Sequence, residues 1–220
     1  MAPSESVQDY VKVIYLLGQD ASEVTTSAIA ERMGVSPASV TAMIKRLAEA
    51  GLVRYKRYKG VELSATGRGV ALEVVRHHRL VESYLHESLG IPWDRVHQEA
   101  EVLEHFLSDE LEDRMAESLG HPTHDPHGDP IPPKSGRYSE KRHEVLTESH
   151  PGPARVERVS DRDPEMLRYI DSLGLRPGAQ ITVEKKSPFG GPVWVKVGRK
   201  RHAIGGELAS SIFVSQVTAA

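Results

Sequence analysis

Thr26-Ser27-Ala28-Ile29-Ala30-Glu31-Arg32-Met33-Gly34-Val35-Ser36-Pro37-Ala38-Ser39-Val40-Thr41-Ala42-Met43-Ile44-Lys45-Arg46-Leu47 decides the fold of the N-terminal part of the chain. Thr26 or Ser27 caps a helix over residues 28–33, and Gly34 stops it. Ser36 is the N-cap and Pro37 the first residue of a second helix, which runs to about Ala50. Two helices across so short a turn have the spacing of a helix-turn-helix. Val40, Ile44 and Leu47 share the inward face, which leaves Ser39, Thr41, Ala42, Lys45 and Arg46 outward. Upstream, Val7, Tyr10, Val11, Ile14 and Leu17 predict another helix over residues 6–18. Downstream, residues 52–63 set β-formers on either side of a basic turn, as in the hairpin wing of a winged helix. Arg54, Lys56, Arg57 and Lys59, interleaved with Tyr55 and Tyr58, suit contact with DNA phosphates. Ser36, Pro37, Ser39 and Thr41 would approach the bases. None is a long bidentate reader, so DNA shape should carry much of the specificity.

Composition sets the frame for that reading. With 220 residues, 39% hydrophobic and 27% charged, the chain has the make-up of a soluble globular protein of one large or two modest domains. A net charge of −3 argues against blanket affinity for nucleic acid and leaves DNA contact to the local basic patch. The chain has no cysteine, which excludes disulfides and thiolate metal sites. No apolar run approaches the roughly 18 residues of a membrane span and no signal peptide is recognisable, so a cytoplasmic location without membrane contact is expected.

Beyond Ser64, two long helices are predicted, one to about Leu89 and one from about Trp93 to Leu119. On the second, His97, Glu101, Glu104 and His105 fall at i, i+4, i+7 and i+8, one face of a helix. His78 and Glu82 repeat the i, i+4 spacing on the first. Imidazoles and carboxylates without sulfur describe a site for a borderline-to-hard divalent cation. Asp109, Glu110, Glu112 and Asp113 read as solvated. Val70, Val74, Leu80, Leu85, Val102, Leu103, Phe106 and Leu107 give these helices more apolar surface than a winged domain needs, which suggests dimerisation. Residues 121–133 hold too many prolines for helix or strand, and their three histidines read as part of a rigid surface loop. From Gly152 onward, five short strands with glycine-rich turns and one helix at about 164–173 imply a small β-barrel. The basic run Lys196, Arg199, Lys200 and Arg201 reads as an exposed hairpin within it. The expected fold is mainly α with a small β-barrel. Its parts are a winged helix-turn-helix over 1–64, a helical dimerisation and metal domain over 65–133, a linker over 134–150 and a barrel over 151–220.

Three motifs carry a resemblance: His78-Arg79-Leu80-Val81-Glu82, the run from Val96 to His105, and Pro126-His127-Gly128-Asp129-Pro130-Ile131-Pro132. With them the chain resembles, over nearly its whole length, the DtxR/IdeR/MntR metal-dependent transcriptional repressors that end in a FeoA-like barrel of Src-homology type. The resemblance implies a metal-activated homodimer, not an enzyme, binding palindromic operator DNA with one or two dimers. It also implies two metal sites per subunit. The primary site would use Asp9, Glu101, Glu104 and His105, and the ancillary site His78, Glu82 and His97 with a barrel residue. That residue falls at Asp163; the next family position is Met166, for which Glu165 could substitute. Iron-type members carry Met in place of Asp9 and Cys in place of Glu101, whereas manganese members without the barrel often have Glu where this chain has Lys12. The two carboxylates favour Mn(II), with Fe(II) as the alternative. A metal-dependent hydrolase or an accessory protein of ferrous-iron transport would leave the helix-turn-helix without a purpose.

Overall fold

A computed structural model describes residues 3–20, 23–55, 60–136, 138 and 143–217. The chain divides into two compact units. The first comprises residues 1–78, 103–107 and 132–138, and the second residues 79–102, 108–131 and 139–220.

In the first unit, α1 (Glu5–Asp20), α2 (Thr26–Met33) and α3 (Pro37–Glu49) precede a hairpin of β1 (Val53–Tyr55) and β2 (Val61–Leu63). The N-cap of α2 is Thr25, one residue before the expected cap; its side chain accepts from the Ala28 N–H at 3.1 Å. Gly34 takes a left-handed conformation at φ 64° and closes α2 by donating to Ala30 O and Glu31 O. Ser36 caps α3 as expected, accepting from the Ser39 N–H at 3.1 Å, with Pro37 opening the helix. Val11, Ile14, Ile29, Val40, Ile44, Leu47, Val53, Val61 and Leu72 form one core, so α3 is anchored by the three residues that its periodicity selects. The hairpin is antiparallel, with Val53 opposite Leu63 and Tyr55 opposite Val61. Its tip, with the candidate DNA contacts Lys56, Arg57 and Lys59, lies outside the described residues.

Helix α4 (Ala65–Glu87) begins in this unit. Its first turn lies so close to the chain entering the wing that a Cβ at Gly67 would stand 1.9 Å from Leu52 O. Gly67→Ala is therefore expected to destabilise the domain by about 2 kcal/mol or more, because a backbone carbonyl cannot give way as a side chain can. Urea unfolding would measure it, and a loss below about 0.5 kcal/mol would contradict this packing.

The second unit contains α5 (Val96–Leu103, its last residue in the first unit), α6 (Asp109–Ser118), α7 (Pro164–Ser172), α8 (Gly206–Ser210) and six strands. These are β3 (Glu144–Val145), β4 (Gly152–Val159), β5 (Gln180–Lys186), β6 (Val193–Val197), β7 (Lys200–Ile204) and β8 (Ile212–Gln216). They form one antiparallel sheet in the order β3-β8-β4-β5-β6-β7. Among the described residues β3 and β7 remain its edges, so the expected barrel is an open sheet. Leu146, Val156, Leu167, Ile170, Val195 and Ile212 lie in its core. β3 and the fully buried Leu146 belong to the stretch expected to be linker.

The helix expected over 93–119 is interrupted. Glu104–Phe106 forms a 3-10 turn, Leu107 is extended, and Ser108 caps α6 afresh by accepting from the Leu111 N–H. Val74, Leu80 and Leu85, expected to help form a dimer face, are buried within the chain. Val102, Leu103, Phe106 and Leu111 remain exposed, with Phe106 at 68%. Among the described residues no helix is long and apolar enough to cross a membrane.

Candidate metal centre

Metal-ligating side chains gather in each unit. In the first, Asp9 on α1 meets the 3-10 turn: Asp9 Oδ1 stands 2.9 Å from His105 Nε2. The other ring nitrogen, Nδ1, is 2.6 Å from Gln8 Oε1, which orients the imidazole. Glu104 is fully buried, and its Oε1 lies 3.7 Å from His105 Nε2. One ligand atom each from Asp9, Glu104 and His105 falls within 4.8 Å of the others. Lys12, also on α1, donates to Glu104 Oε1 at 2.8 Å and Oε2 at 2.7 Å. His78, expected in the ancillary site, faces this cluster; its Nδ1 contacts Glu104 Oε2 and lies 3.1 Å from Lys12 Nζ.

In the second unit Glu82 and His97 come together as their spacing predicts, with Glu82 Oε1 3.2 Å from His97 Nδ1. Asp161 Oδ2 lies 3.1 Å from the same nitrogen, and Glu101 Oε1 lies 3.6 Å from His97 Nε2. His127, fully buried, adds a second imidazole: its Nδ1 is 3.7 Å from Glu82 Oε2 and makes no hydrogen bond among the described residues. The opposite nitrogen, Nε2, donates to Trp93 O at 2.8 Å, the arrangement that leaves Nδ1 as a ligand atom. A gap of 3.7 Å is too long for a hydrogen bond and suits two donors to one ion. Asp125 brings a carboxylate oxygen within 4.8 Å of those of Glu82 and His127. The donor set of this unit therefore fits a divalent metal.

The loop that carries His127 is held firmly. Asp125 Oδ1 accepts from the backbone N–H groups of His127 and Asp129 at 2.8 and 2.9 Å. Arg79 binds Asp129 Oδ1 at 2.9 Å and Pro130 O at 2.6 Å, while Arg158 reaches the same Asp129 oxygen at 3.0 Å. Gly128, at φ 89°, passes so near β4 that a Cβ would stand 2.0 Å from Glu157 O. Residues 125–129 are thus not the surface loop that their prolines suggest.

Charge within the second cluster is strongly coupled. Burial opposes protonation of His97, but the hydrogen bonds and charges of Asp161 and Glu82 outweigh it and push its pKa up to about 10. Against the same burial, Glu82, Asp125 and Asp161 push His127 to about 10. Burial, with the charges of Asp129 and Glu82, raises Asp125 well above the usual carboxylate range. Asp161 is lowered: burial would raise it, but its bond to His97 prevails.

Asp163 does not face this cluster. It is the N-cap of α7, its Oδ1 accepting from the Glu165 and Met166 N–H groups at 2.8 and 3.2 Å. Glu165 is exposed and Met166 packs against the sheet core, so Asp161 is the acid that the sequence reading missed. Asp163-Pro164 is itself a cap-and-first-residue signature, which could have assigned Asp163 to the helix and freed Asp161. Asp161→Ala is expected to weaken metal binding in this unit by about 10-fold or more, and Asp163→Ala to cost only about 1 kcal/mol of stability. Calorimetric metal titration beside a thermal melt would separate the two. The reverse pattern would restore Asp163 as the ligand.

On α3, Ser36, Pro37, Ser39, Thr41, Lys45 and Arg46 are all exposed, as is Arg54 on β1. Ser36 Oγ lies 2.9 Å from Ser39 Oγ, and the Thr41 hydroxyl donates to Pro37 O at 2.9 Å. Short polar side chains tied back to their own helix let its N-terminus approach a groove closely.

A winged helix in one chain with a helical metal-binding and dimerisation domain defines a metal-dependent, DNA-binding transcriptional repressor, not an enzyme. Residues 3–61 match the iron dependent repressor N-terminal DNA binding domain, residues 64–133 the iron dependent repressor metal binding and dimerisation domain, and residues 146–216 the FeoA domain. The chain belongs to the iron-dependent repressor, or DtxR, family. It is 30% identical over 226 residues to the iron-dependent repressor IdeR of Mycobacterium tuberculosis (strain ATCC 25618 / H37Rv), covering 97% of this chain and 98% of that protein. Among solved structures, a manganese-dependent transcriptional repressor in complex with manganese superposes with a TM-score of 0.90 at 39% identity, over 96% of this chain and all of that one. The manganese regulator SloR does so at 0.81 and 30%, over 99% of this chain and all of that one. The partners implied by these domains are DNA and a second copy of the chain.

Proposed function

We propose that this chain is a Mn(II)-responsive repressor of metal-homeostasis genes, acting in the cytoplasm as a homodimer on palindromic operators taken by one or two dimers. The observation that carries the metal choice is the donor set. Asp9 and Glu104 cluster with His105, the family resemblance adds Glu101, and the chain has no cysteine to offer sulfur. Hard oxygen donors favour Mn(II), which mixed sites otherwise bind weakly. The relatives described as manganese-dependent support this reading. The full-length similarity to an iron-dependent repressor makes Fe(II) the alternative.

Two ions per subunit are assigned, one to Asp9, Glu101, Glu104 and His105, the other to Glu82, His97, Asp125, His127 and Asp161. At each centre a divalent ion supplies the positive charge that lets several carboxylates converge. Asp9 lies on α1, which shares a core with α2 and α3, so holding Asp9 against Glu104 and His105 steadies the recognition helix. Two such helices must enter successive major grooves about 34 Å apart, and slack in either subtracts from affinity.

Operator DNA from the protein's own genome, titrated anaerobically with Mn(II), with Fe(II) and with a chelator, tests the proposal. Retention at lower free Mn(II) than Fe(II), lost on chelation, is expected. A preference for Fe(II) would transfer the assignment to iron, and indifference to metal would overturn it.

A further inference from the structure

One strongly charged surface has no part in the metal centres. Between Gln180 and Ile204, strands β5 to β7 and their turns carry Lys185, Lys186, Lys196, Arg199, Lys200 and Arg201 against the single acid Glu184. That is a net charge of +5 in a chain whose total is −3. All six cations are exposed. Val183, Val193 and Val195 are buried in the core, so strand alternation sends Thr182, Trp194 and Lys196 to the outer face. The register sets Lys196 between Thr182 and Arg201 in one row. Trp194 stands between Lys185 and Ala203 in the next row, about 7 Å along the strands. Lys185 Nζ lies 5.5 Å from the centre of the Trp194 ring. Arg201 pairs with Glu184 at 2.7 Å, whereas Lys196, Arg199 and Lys200 make no ion pair among the described residues.

Protection of an open sheet edge would account for the cations on β7. It does not account for Lys185 and Lys196, whose strands are paired on both sides. Like charges gathered this closely repel one another and raise the local concentration of anions. We infer that this face binds the phosphate backbone of duplex DNA, as a contact separate from the winged helix and indifferent to sequence. Duplex DNA offers a negative charge about every 1.7 Å along its axis, so a face of this size meets several phosphates at once. An aromatic ring set among cations suits a backbone that alternates sugar with phosphate. The inference rests on the membership of the chain in a DNA-binding family, and not on the choice of metal or of its ligands.

The triple variant Lys196→Gln, Arg199→Gln and Lys200→Gln of the full-length protein removes three exposed cations without opening the core, and a thermal melt checks that it folds. Its binding to a labelled duplex of scrambled sequence is followed by fluorescence anisotropy across a salt series, with chelator present. Each phosphate contact contributes about 0.9 to the slope of log affinity against log salt. The variant is expected to bind about tenfold more weakly or worse, with that slope smaller by about 2 to 3. A control with Arg95→Gln, Arg114→Gln and Lys134→Gln removes as much charge from exposed positions outside the sheet. It should leave the slope within about 0.5 of wild type. An equal loss in the control, an unchanged slope in the first variant, or a wild type that ignores the duplex at low salt would overturn the inference. Unchanged DNA binding with weaker self-association in sedimentation would give the face to a second copy of the chain and overturn it as well. Operator binding indifferent to Mn(II) would instead overturn the metal reading and leave this contact standing.

Discussion

Asp9→Ala is expected to abolish metal-stimulated operator binding while leaving the dimer intact. Asp9 supplies the link from α1 to His105, with 2.9 Å between Oδ1 and Nε2. Its side chain is 38% exposed, and His105 keeps its contact with Gln8, so the loss should cost the fold less than about 1 kcal/mol. Glu104 would make a poorer probe. It is fully buried against the Lys12 ammonium, and truncating one partner of such a pair destabilises by about 3–5 kcal/mol. For Asp9→Ala, Mn(II) affinity at this centre should fall by about 100-fold or more, since losing even an outer-shell partner costs 10- to 100-fold. Fluorescence anisotropy of labelled operator, titrated with Mn(II), would report the loss, and sedimentation would confirm the dimer. An unchanged midpoint would remove Asp9 from the centre.

Metal uptake by the second unit should release protons and depend steeply on pH. Without metal, His97 and His127 both have pKa values pushed up to about 10, so both rings are protonated at neutral pH. A ligand nitrogen needs its lone pair, so each ring must give up its proton to bind. Apparent affinity should therefore climb by up to about tenfold per pH unit for each histidine, from neutral pH until about 10, and about a hundredfold when both take part. The metal-free protein behaves in the opposite sense. A histidine raised from 6.5 to about 10 stabilises the fold fully below about pH 6.5, and that contribution disappears as pH rises through about 10. Calorimetric Mn(II) titrations in two buffers of different ionisation enthalpy count the protons directly. Uptake with none released would mean that neither imidazole is a ligand.

The features legible in the sequence are those governed by local rules. Ser36-Pro37 and Gly34 mark the ends of α3 and α2, and the periodicity of Val40, Ile44 and Leu47 fixes the face that α3 buries. Spacing on α4 and α5 also placed Glu82 and His97 in one cluster. What was not legible depends on contacts between distant segments. His127 enters its cluster only because Arg79 and Arg158 draw its loop inward through Asp129, and no pattern in a proline-rich stretch announces that. His78 Nδ1 also contacts Glu104, a partner on the 3-10 turn that spacing along α4 does not reveal. The resemblance pointed to Asp163, although its capping of α7, a local rule, gives that carboxylate another task and leaves Asp161 beside His97. The open edges of the sheet are set by which strands find partners, and strand periodicity does not encode that.

The clamp on the His127 loop bears on time as well as on place. His127 is fully enclosed, and the Asp125–Asp129 turn behind it is held by two guanidinium groups. An ion seated there would have one imidazole held in place through Arg79 and Arg158, while His97 and Asp161, each 24% exposed, give it a way to water. The carboxylate of Asp9 is more open to water. Were both centres to fill, the firmer hold on the His127 side would make its ion the slower of the two to exchange.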